Sequence, residues 1–117
     1  MAKGISNTSR TLRYIRAQGW SANIVECYNF YSKQRKDLFG IIDIVALTDK
    51  GITGIQSTGQ NFAEHDRKIL QSPEALEWIE AGGHLMLIGW RKVKLRYGAK
   101  ALRWAPRIKE YEIKDFK

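Results

Sequence analysis

One residue in the chain does not suit its surroundings. Asp43 lies in the most apolar stretch of the 117 residues, 39–47 (FGIIDIVAL). A carboxylate among such neighbours costs several kcal/mol unless it is paired with a cation or bound to a metal ion. Asp43 is therefore the leading candidate for a functional residue, as a metal ligand. The alternative is a structural ion pair with Arg10 or Lys68.

Two further polar side chains are expected beside Asp43. Residues 48–51 (TDKG) are typical of a turn, so the stretches 39–47 and 52–58 (ITGIQST) are predicted to be paired strands. Because side chains alternate across a strand, Gln56 and Thr58 share one face, and pairing can place that face beside Asp43. The sequence thus predicts one carboxylate next to a carboxamide and a hydroxyl.

Helices and further strands must hold these side chains in place. Capping residues, glycine stops and apolar periodicity indicate the remaining elements. In chain order they are a helix at 6–16, a strand at 20–28 with an exposed loop at 29–36, the two strands above, a helix capped by Asn61 to residue 70, a helix from 72–74 to the glycines 82–83, a buried strand at 84–90, and an edge strand or hairpin arm at 102–113. This order predicts an α/β class with one central mixed sheet flanked by helices.

The charge is strongly basic and unevenly distributed. The chain has 20 Lys+Arg against 12 Asp+Glu, a formal net charge of +8. Residues 1–37 carry +5 and residues 84–117 carry +7, whereas residues 38–83 carry −4. Basic flanks around an acidic centre favour a nucleic-acid partner over charge kept for solubility alone.

Three groups of basic residues are candidate phosphate contacts. Their alternative roles are an ordinary solvated face and, near the C-terminus, basic side chains lying over the aromatic core residues Trp90 and Trp104. The groups are Arg10, Arg13 and Arg16 on the first helix; Lys33, Arg35 and Lys36 in the loop with Phe30 and Tyr31; and Arg91, Lys92, Lys94, Arg96 and Arg103 interleaved with aromatic residues.

Several classes of protein are excluded or disfavoured. The sequence contains no dinucleotide fingerprint, Walker-type glycine loop, nucleophile elbow or zinc-ligand cluster. No apolar run reaches the roughly 18 residues of a membrane span, and no signal peptide is recognisable. Cys27 is the only cysteine and can form no internal disulfide. We therefore expect one domain over residues 1–117, located in the cytoplasm, with no membrane partner.

The arrangement resembles the PD-(D/E)XK nuclease superfamily, which includes restriction endonucleases, Holliday-junction resolvases and VRR-NUC nucleases. Its pattern is an Asp on the second strand followed by Glu-x-Lys on the third. Here Asp43 stands in GIIDIVAL, and Gln56-Ser57-Thr58 follows thirteen positions later. The run 37–43 (DLFGIID) with the later Gly89-Trp90 is similar to uncharacterised phage and bacterial members. The likeness covers about residues 8–90.

The resemblance implies a restriction-endonuclease-like core (αβββαβ) over about residues 6–92, with a basic C-terminal extension at 93–117. It also implies a small Mg²⁺-dependent or Mn²⁺-dependent endonuclease that hydrolyses phosphodiester bonds in DNA, with branched or structured DNA among the substrates. In such sites the acidic residues hold the metal and the Lys orients or deprotonates water. Junction-cleaving relatives work as homodimers, so a homodimer is a further expectation.

Two positions depart from the family motif. Gln56 replaces the acidic ligand, and Thr58 replaces the Lys. Glu26, on the predicted first strand, can restore the second carboxylate; its alternative is an exposed pair with Arg35 or Lys36. His65 and Lys68 lie on the following helix with Asp66, and His65 is either a phosphate or proton-transfer residue or an ordinary surface residue. The implied catalytic set is Asp43, Gln56, Thr58, Glu26 and Lys68, and the implied metal ligands are Asp43, Gln56 and Glu26.

Two other functions fit the same sequence. A nuclease fold that has lost its chemistry and only binds nucleic acid is favoured by Gln56 and Thr58. A protein-interaction domain whose basic ends meet an acidic partner is the third alternative. The three functions predict different results. A nuclease cleaves nucleic acid, a fold that has lost its chemistry shows salt-dependent binding without cleavage, and a protein-interaction domain does not bind nucleic acid.

Overall fold

A computed structural model describes residues 5–94, 96–98 and 100–117. The helices among these residues are α1 (Asn7–Ala17), α2 (Phe62–Leu70) and α3 (Pro73–Glu80), followed by a short 3-10 helix at Ile113–Phe116. The strands are β1 (Ser21–Ile24), β2 (Cys27–Asn29), β3 (Gln34–Lys36), β4 (Ile44–Thr48), β5 (Gly51–Thr58), β6 (His84–Lys94) and β7 (Leu102–Glu110). None of the described helices is long and apolar enough to cross a membrane.

Five strands form a mixed central sheet in the order β1-β4-β5-β6-β7. β5 and β6 are parallel, and the other neighbours are antiparallel. The predicted α/β class with a mixed sheet is thus confirmed. β7 pairs with β6 from Met86 to Lys94, and Tyr111 after it is buried in the core. β7 is thus the edge strand of the sheet, one of the two possibilities that the sequence predicted for residues 102–113.

Helices cover both faces of the sheet. On one face α1 packs Ile15 against Ile44, Ile55 and Ile88, which explains why these strands are apolar where they cross the helix. On the other face α2 and α3 bury side chains against Leu87 and its neighbours. Each fully buried Ile or Leu contributes about 1.5–3 kcal/mol, so the two apolar layers fix the sheet between the helices.

Serine caps explain where two of the three predicted helices begin. Ser6 precedes α1, and its side chain accepts a hydrogen bond from Ser9 N. Ser72 does the same for α3 through Ala75 N. A serine side chain in this position satisfies a backbone N–H that has no partner within the helix. Asn61 precedes α2 as predicted, but its side chain makes no capping hydrogen bond.

The segment between β1 and β4 differs from the sequence-based expectation. The predicted strand at 20–28 ends at Ile24, and the predicted loop at 29–36 is part of the β2–β3 hairpin. Residues 38–42 form a tight turn closed by a bridge between Leu38 and Ile42, so β4 starts only after Asp43. The turn depends on left-handed backbone at Phe39 (φ 55°) and Gly40 (φ 76°).

A glycine on β5 makes room for this turn. A Cβ at Gly54 would lie 2.6 Å from Ile42 Cδ1, the residue next to Asp43. We expect Gly54→Ala to lower the free energy of unfolding by about 1–3 kcal/mol, because overpacking forces the core apart. Urea unfolding measures this difference. Gly59→Ala is the matched control, since its Cβ would meet only the movable Asn7 side chain at 3.0 Å, and a cost as large as that of Gly54→Ala would contradict the explanation.

Candidate metal centre

The β2–β3 hairpin and the turn after it bring three carboxylates together. Glu26 directly precedes β2 and Asp37 directly follows β3, so the hairpin register, which pairs Cys27 with Lys36, places them opposite one another. Carboxylate oxygens of Glu26, Asp37 and Asp43 all lie within 4.8 Å of one another. Like charges on opposing strand positions repel, and a third carboxylate adds to the repulsion. A proton or a cation within this acidic cluster, Glu26-Asp37-Asp43, would relieve the repulsion.

Asp43 is the buried member of the acidic cluster, with 5% of its surface exposed. Its Oδ2 accepts a hydrogen bond from Ser57 N at 2.9 Å, and its own N–H donates to Ile55 O. Asp43 makes no ion pair with Arg10 or Lys68, so the structural alternative for this residue is wrong. Arg10 instead donates to Asn7 Oδ1 and lies over the Trp104 ring.

The protonation of Asp43 reflects this environment. Burial raises the pKa of Asp43 to about 8, and a hydrogen bond shared with Asp37 and the charges of Asp37 and Glu26 act in the same direction. The Ser57 N–H opposes the rise without cancelling it. A carboxyl group with this pKa carries a proton at neutral pH unless a cation takes the place of the proton.

Asp66 shows the contrasting case of a carboxylate with ordinary partners. Burial raises the pKa of Asp66 as well, but hydrogen bonds from Lys109 and Tyr111 outweigh it and leave the pKa below its usual value. Both bonds reach Oδ1, at 2.9 Å and 2.6 Å. Asp66 thus joins α2 to the end of β7 and has a structural role. The charged neighbours of Asp43, in contrast, are the acids Asp37 and Glu26.

Gln56 supplies a second feature typical of an ion site. On β5 Gln56 lies between Ile55, whose O accepts a hydrogen bond from Asp43 N, and Ser57, whose N donates to Asp43 Oδ2. Gln56 is 2% exposed, and its Oε1 has no hydrogen-bond partner among the described residues. A buried oxygen left without a partner costs about 1–3 kcal/mol, and a carboxamide oxygen is a ligand for hard cations. Gln56 therefore fits a fourth ligand position.

The first turns of α2 contribute His65 and Lys68. Both line a shallow cleft of about 270 Å³ together with Glu64. Burial lowers the pKa of His65, and the charge of Lys68 lowers it further, against the opposing charges of Asp37 and Glu64. His65 Nδ1 is the second buried side-chain atom of the described residues without a hydrogen-bond partner. A neutral imidazole thus lies within electrostatic reach of the acidic cluster.

The predicted site residues are only partly brought together. Asp43 and Glu26 meet, and Gln56 is flanked on β5 by Ile55 and Ser57, the two residues that hydrogen-bond to Asp43. Thr58 is buried on the same face two residues beyond Gln56, and Lys68 is exposed on α2; neither is joined to the acidic cluster by a hydrogen bond or ion pair. Asp37 was not predicted as a ligand. The signal for it is the Phe39-Gly40 pair, since a tight turn there returns the chain to Asp43.

The basic residues divide into structural and exposed ones. Arg10 lies 3.9 Å from the centre of the Trp104 ring, and Arg16 donates to Ala22 O at 2.9 Å, so two residues of the predicted stripe have partners within the fold. Trp90 is a core residue, which is the alternative role given for it above. Its Nε1–H donates a hydrogen bond to Thr11 Oγ1. The exposed ones are Arg13, Lys33, Lys36, Arg91, Lys92, Lys94, Arg96 and Arg103, and the side chain of Arg35 lies outside the described part of the structure.

Comparison with protein-family models, curated proteins and solved structures gives no match. The acidic cluster, the buried Gln56 oxygen and the neighbouring His65 are therefore the basis on which a function can be inferred.

Proposed function

We propose that the protein is a small metal-dependent endonuclease of the PD-(D/E)XK type that hydrolyses phosphodiester bonds in DNA. The observation that carries the proposal is the meeting of Glu26, Asp37 and Asp43 within 4.8 Å. The buried Gln56 oxygen, which has no hydrogen-bond partner among the described residues, supports it. In this proposal the order α1, β1, β4, β5, α2, β6 corresponds to the αβββαβ core.

The residues of the acidic cluster fit Mg²⁺ or Mn²⁺. Both ions prefer oxygen ligands, and the cluster with Gln56 offers three carboxylates and one carboxamide. When bound, such an ion polarises the phosphodiester and lowers the pKa of a water molecule. The chain's own contribution is to hold the ligands in a buried position. The Ser57 N–H fixes one oxygen of Asp43, and the tight turn fixes the separation between Asp37 and Asp43.

Two residues on α2 replace the missing Lys of the motif in this proposal. The neutral His65 imidazole can accept a proton at Nδ1, which has no hydrogen-bond partner among the described residues. Lys68 lines the same cleft and can contact a phosphate through its exposed ammonium group. Thr58 at the family's Lys position carries no charge and is assigned no proton-transfer role.

DNA is the proposed partner because the exposed cations follow the sheet beyond the site. β6 extends past the end of β5 and carries Arg91, Lys92 and Lys94, and Arg103 lies opposite Val93 on β7. Cations on a projecting pair of strands suit contact with successive phosphates. A homodimer with paired sites is proposed only by analogy with junction-cleaving members of the superfamily.

A nucleic-acid-binding protein without activity is the second candidate. It is favoured by the position of Lys68, which is exposed and makes no ion pair with the acidic cluster. In that case the exposed cations bind DNA, and the acidic cluster keeps only a structural cation.

A cleavage assay separates the two candidates. Purified protein is incubated with duplex, branched and single-stranded DNA in Mg²⁺, in Mn²⁺, in Ca²⁺ and in EDTA. The proposal predicts cleavage in Mg²⁺ or Mn²⁺ and none in EDTA. Salt-dependent binding with no cleavage in any metal would select the second candidate, and no binding at low salt would exclude both.

Changing Gln56 tests its role as a ligand. We expect Gln56→Glu to tighten Mn²⁺ binding about tenfold, because ligand charge raises affinity for hard cations, and to lower the melting temperature without metal. Calorimetric titration measures the affinity. Gln56→Met is the control: it removes the oxygen at similar length, so it should weaken Mn²⁺ binding and leave the metal-free protein as stable or more stable. Equal affinities in all three proteins would contradict ligation by Gln56.

A further inference from the structure

The β2–β3 hairpin projects directly from the acidic cluster. Its two strands begin after Glu26 and end before Asp37, so two proposed ligands form its base. Each strand has three residues, which at about 3.3 Å per residue places the turn of the hairpin roughly 10 Å from the carboxylates. A DNA strand that binds at the acidic cluster and runs along the hairpin would reach the turn.

Two aromatic side chains stand at this turn. Phe30 is 83% exposed and Tyr31 is 101% exposed. Large aromatic side chains contribute most when they are covered, so two adjacent ones in solvent indicate a surface that binds something. The described part of the chain has only one other aromatic residue as exposed, Tyr97.

The turn holds these aromatic residues in a defined position. Asn29 Oδ1 accepts hydrogen bonds from Tyr31 N at 2.8 Å and from Ser32 N at 3.2 Å. Lys33 N donates to Asn29 O at 2.7 Å, and Lys33 has the left-handed φ of 56° that closes the turn. An ordered turn loses little conformational entropy when a ligand binds to it.

The charges around the aromatic pair indicate the kind of ligand. Lys33 and Lys36 are exposed on the same hairpin, Lys33 in the turn with Phe30 and Tyr31 and Lys36 at the base beside Asp37. Aromatic faces beside cations are the combination that binds unpaired nucleotides, in which bases stack and phosphates are neutralised. In an intact duplex the bases already stack on one another and offer no free face.

We propose that the β2–β3 hairpin stacks Phe30 and Tyr31 on unpaired bases, and that the protein thereby selects DNA with a single-stranded segment beside the bond that is cut. This inference rests on the proposed nuclease function and specifies its substrate. Stacked nucleotides of one strand advance about 3.4 Å each, so the contacted bases lie about three nucleotides from the scissile phosphate.

Binding without cleavage tests the hairpin. The affinities of a labelled single strand and of a duplex of the same sequence are measured in Ca²⁺ by fluorescence anisotropy. We expect the double variant Phe30→Ala/Tyr31→Ala to bind the single strand roughly tenfold or more weakly, and to change duplex binding less than about threefold. Phe30→Leu/Tyr31→Leu should lose nearly as much, because leucine has no aromatic face.

Leu47→Ala is the matched control, because it removes an exposed apolar side chain at the far end of β4. Its affinities should equal those of the parent, and all variants should melt at the parent's temperature. An equal loss for both DNA forms, no loss, or full rescue by leucine would overturn the inference.

The outcome for the hairpin is separable from the outcome for the nuclease function. If the parent cleaves DNA in a metal-dependent way but the hairpin variant binds both DNA forms normally, the stacking role of the hairpin is wrong and the nuclease function stands. If the hairpin variant loses only single-strand binding and no metal supports cleavage by the parent, the stacking surface stands and the nuclease function is wrong.

Discussion

Asp43→Asn is expected to reduce Mg²⁺-dependent DNA cleavage by about a thousandfold or more. The carboxylate is the buried member of the acidic cluster, and Asn keeps its shape and its hydrogen bond from Ser57 N but not its charge. Loss of a metal ligand removes several kcal/mol of transition-state stabilisation, and about 1.4 kcal/mol corresponds to a tenfold change in rate. Single-turnover cleavage rates at saturating Mg²⁺ measure the effect.

Asp66→Asn provides the control for this prediction. Asp66 is an acidic residue of α2 whose partners are Lys109 and Tyr111, outside the acidic cluster. Its replacement should lower stability through the lost ion pair and leave the cleavage rate within about threefold of the parent. Cleavage by Asp43→Asn at the parent's rate would contradict the assignment of the site.

The same Asp43→Asn substitution is expected to stabilise the metal-free protein. Burial and the neighbouring acids raise the pKa of Asp43 from the ordinary value of 3.8 to about 8 in the fold, because they disfavour its charged form. Between these values the folded state keeps a proton that the unfolded state has released. The parent's stability therefore falls as the pH rises from about 4 to about 8, and a neutral Asn avoids this loss.

Thermal unfolding in EDTA measures this gain. A change of a few kcal/mol corresponds to a rise of roughly ten degrees in melting temperature at pH 8, with a smaller rise at pH 5. Asp66→Asn again serves as the control, because its pKa is lowered and its neutralisation should destabilise. If Asp43→Asn melts at or below the parent's temperature at pH 8, burial and the neighbouring acids do not destabilise the charged form of Asp43.

The parts of the fold that sequence could predict are those with local signals. α1 and α3 follow from serine caps, and β5 and β6 follow from apolar runs bounded by turns. The segment before β4 has an equally apolar run, but hydrophobicity reports burial and not backbone direction. Ile41 and Ile42 are buried in a turn, where a strand was the natural expectation.

That turn explains why the site was only half predicted. Asp37 and Asp43 are six residues apart, which in a strand would separate them by roughly 20 Å. Left-handed backbone at Phe39 and Gly40 folds the chain back and brings their carboxylates within 4.8 Å. Asp43 was predictable because a carboxylate does not suit an apolar stretch, and Gln56 because side chains alternate along β5. Glu26 was predicted on a strand and reaches the acidic cluster instead from the base of the hairpin.

Calorimetric titration of Mn²⁺ into the parent and into Asp37→Asn tests the central claim most directly. Asp37 is a proposed ligand that only the folded geometry indicates, so its variant probes the acidic cluster independently of the sequence motif. We predict saturable Mn²⁺ binding to the parent and at least about tenfold weaker binding to Asp37→Asn. Absence of Mn²⁺ binding to the parent, or equal binding to both proteins, would contradict a metal site formed by Glu26, Asp37 and Asp43.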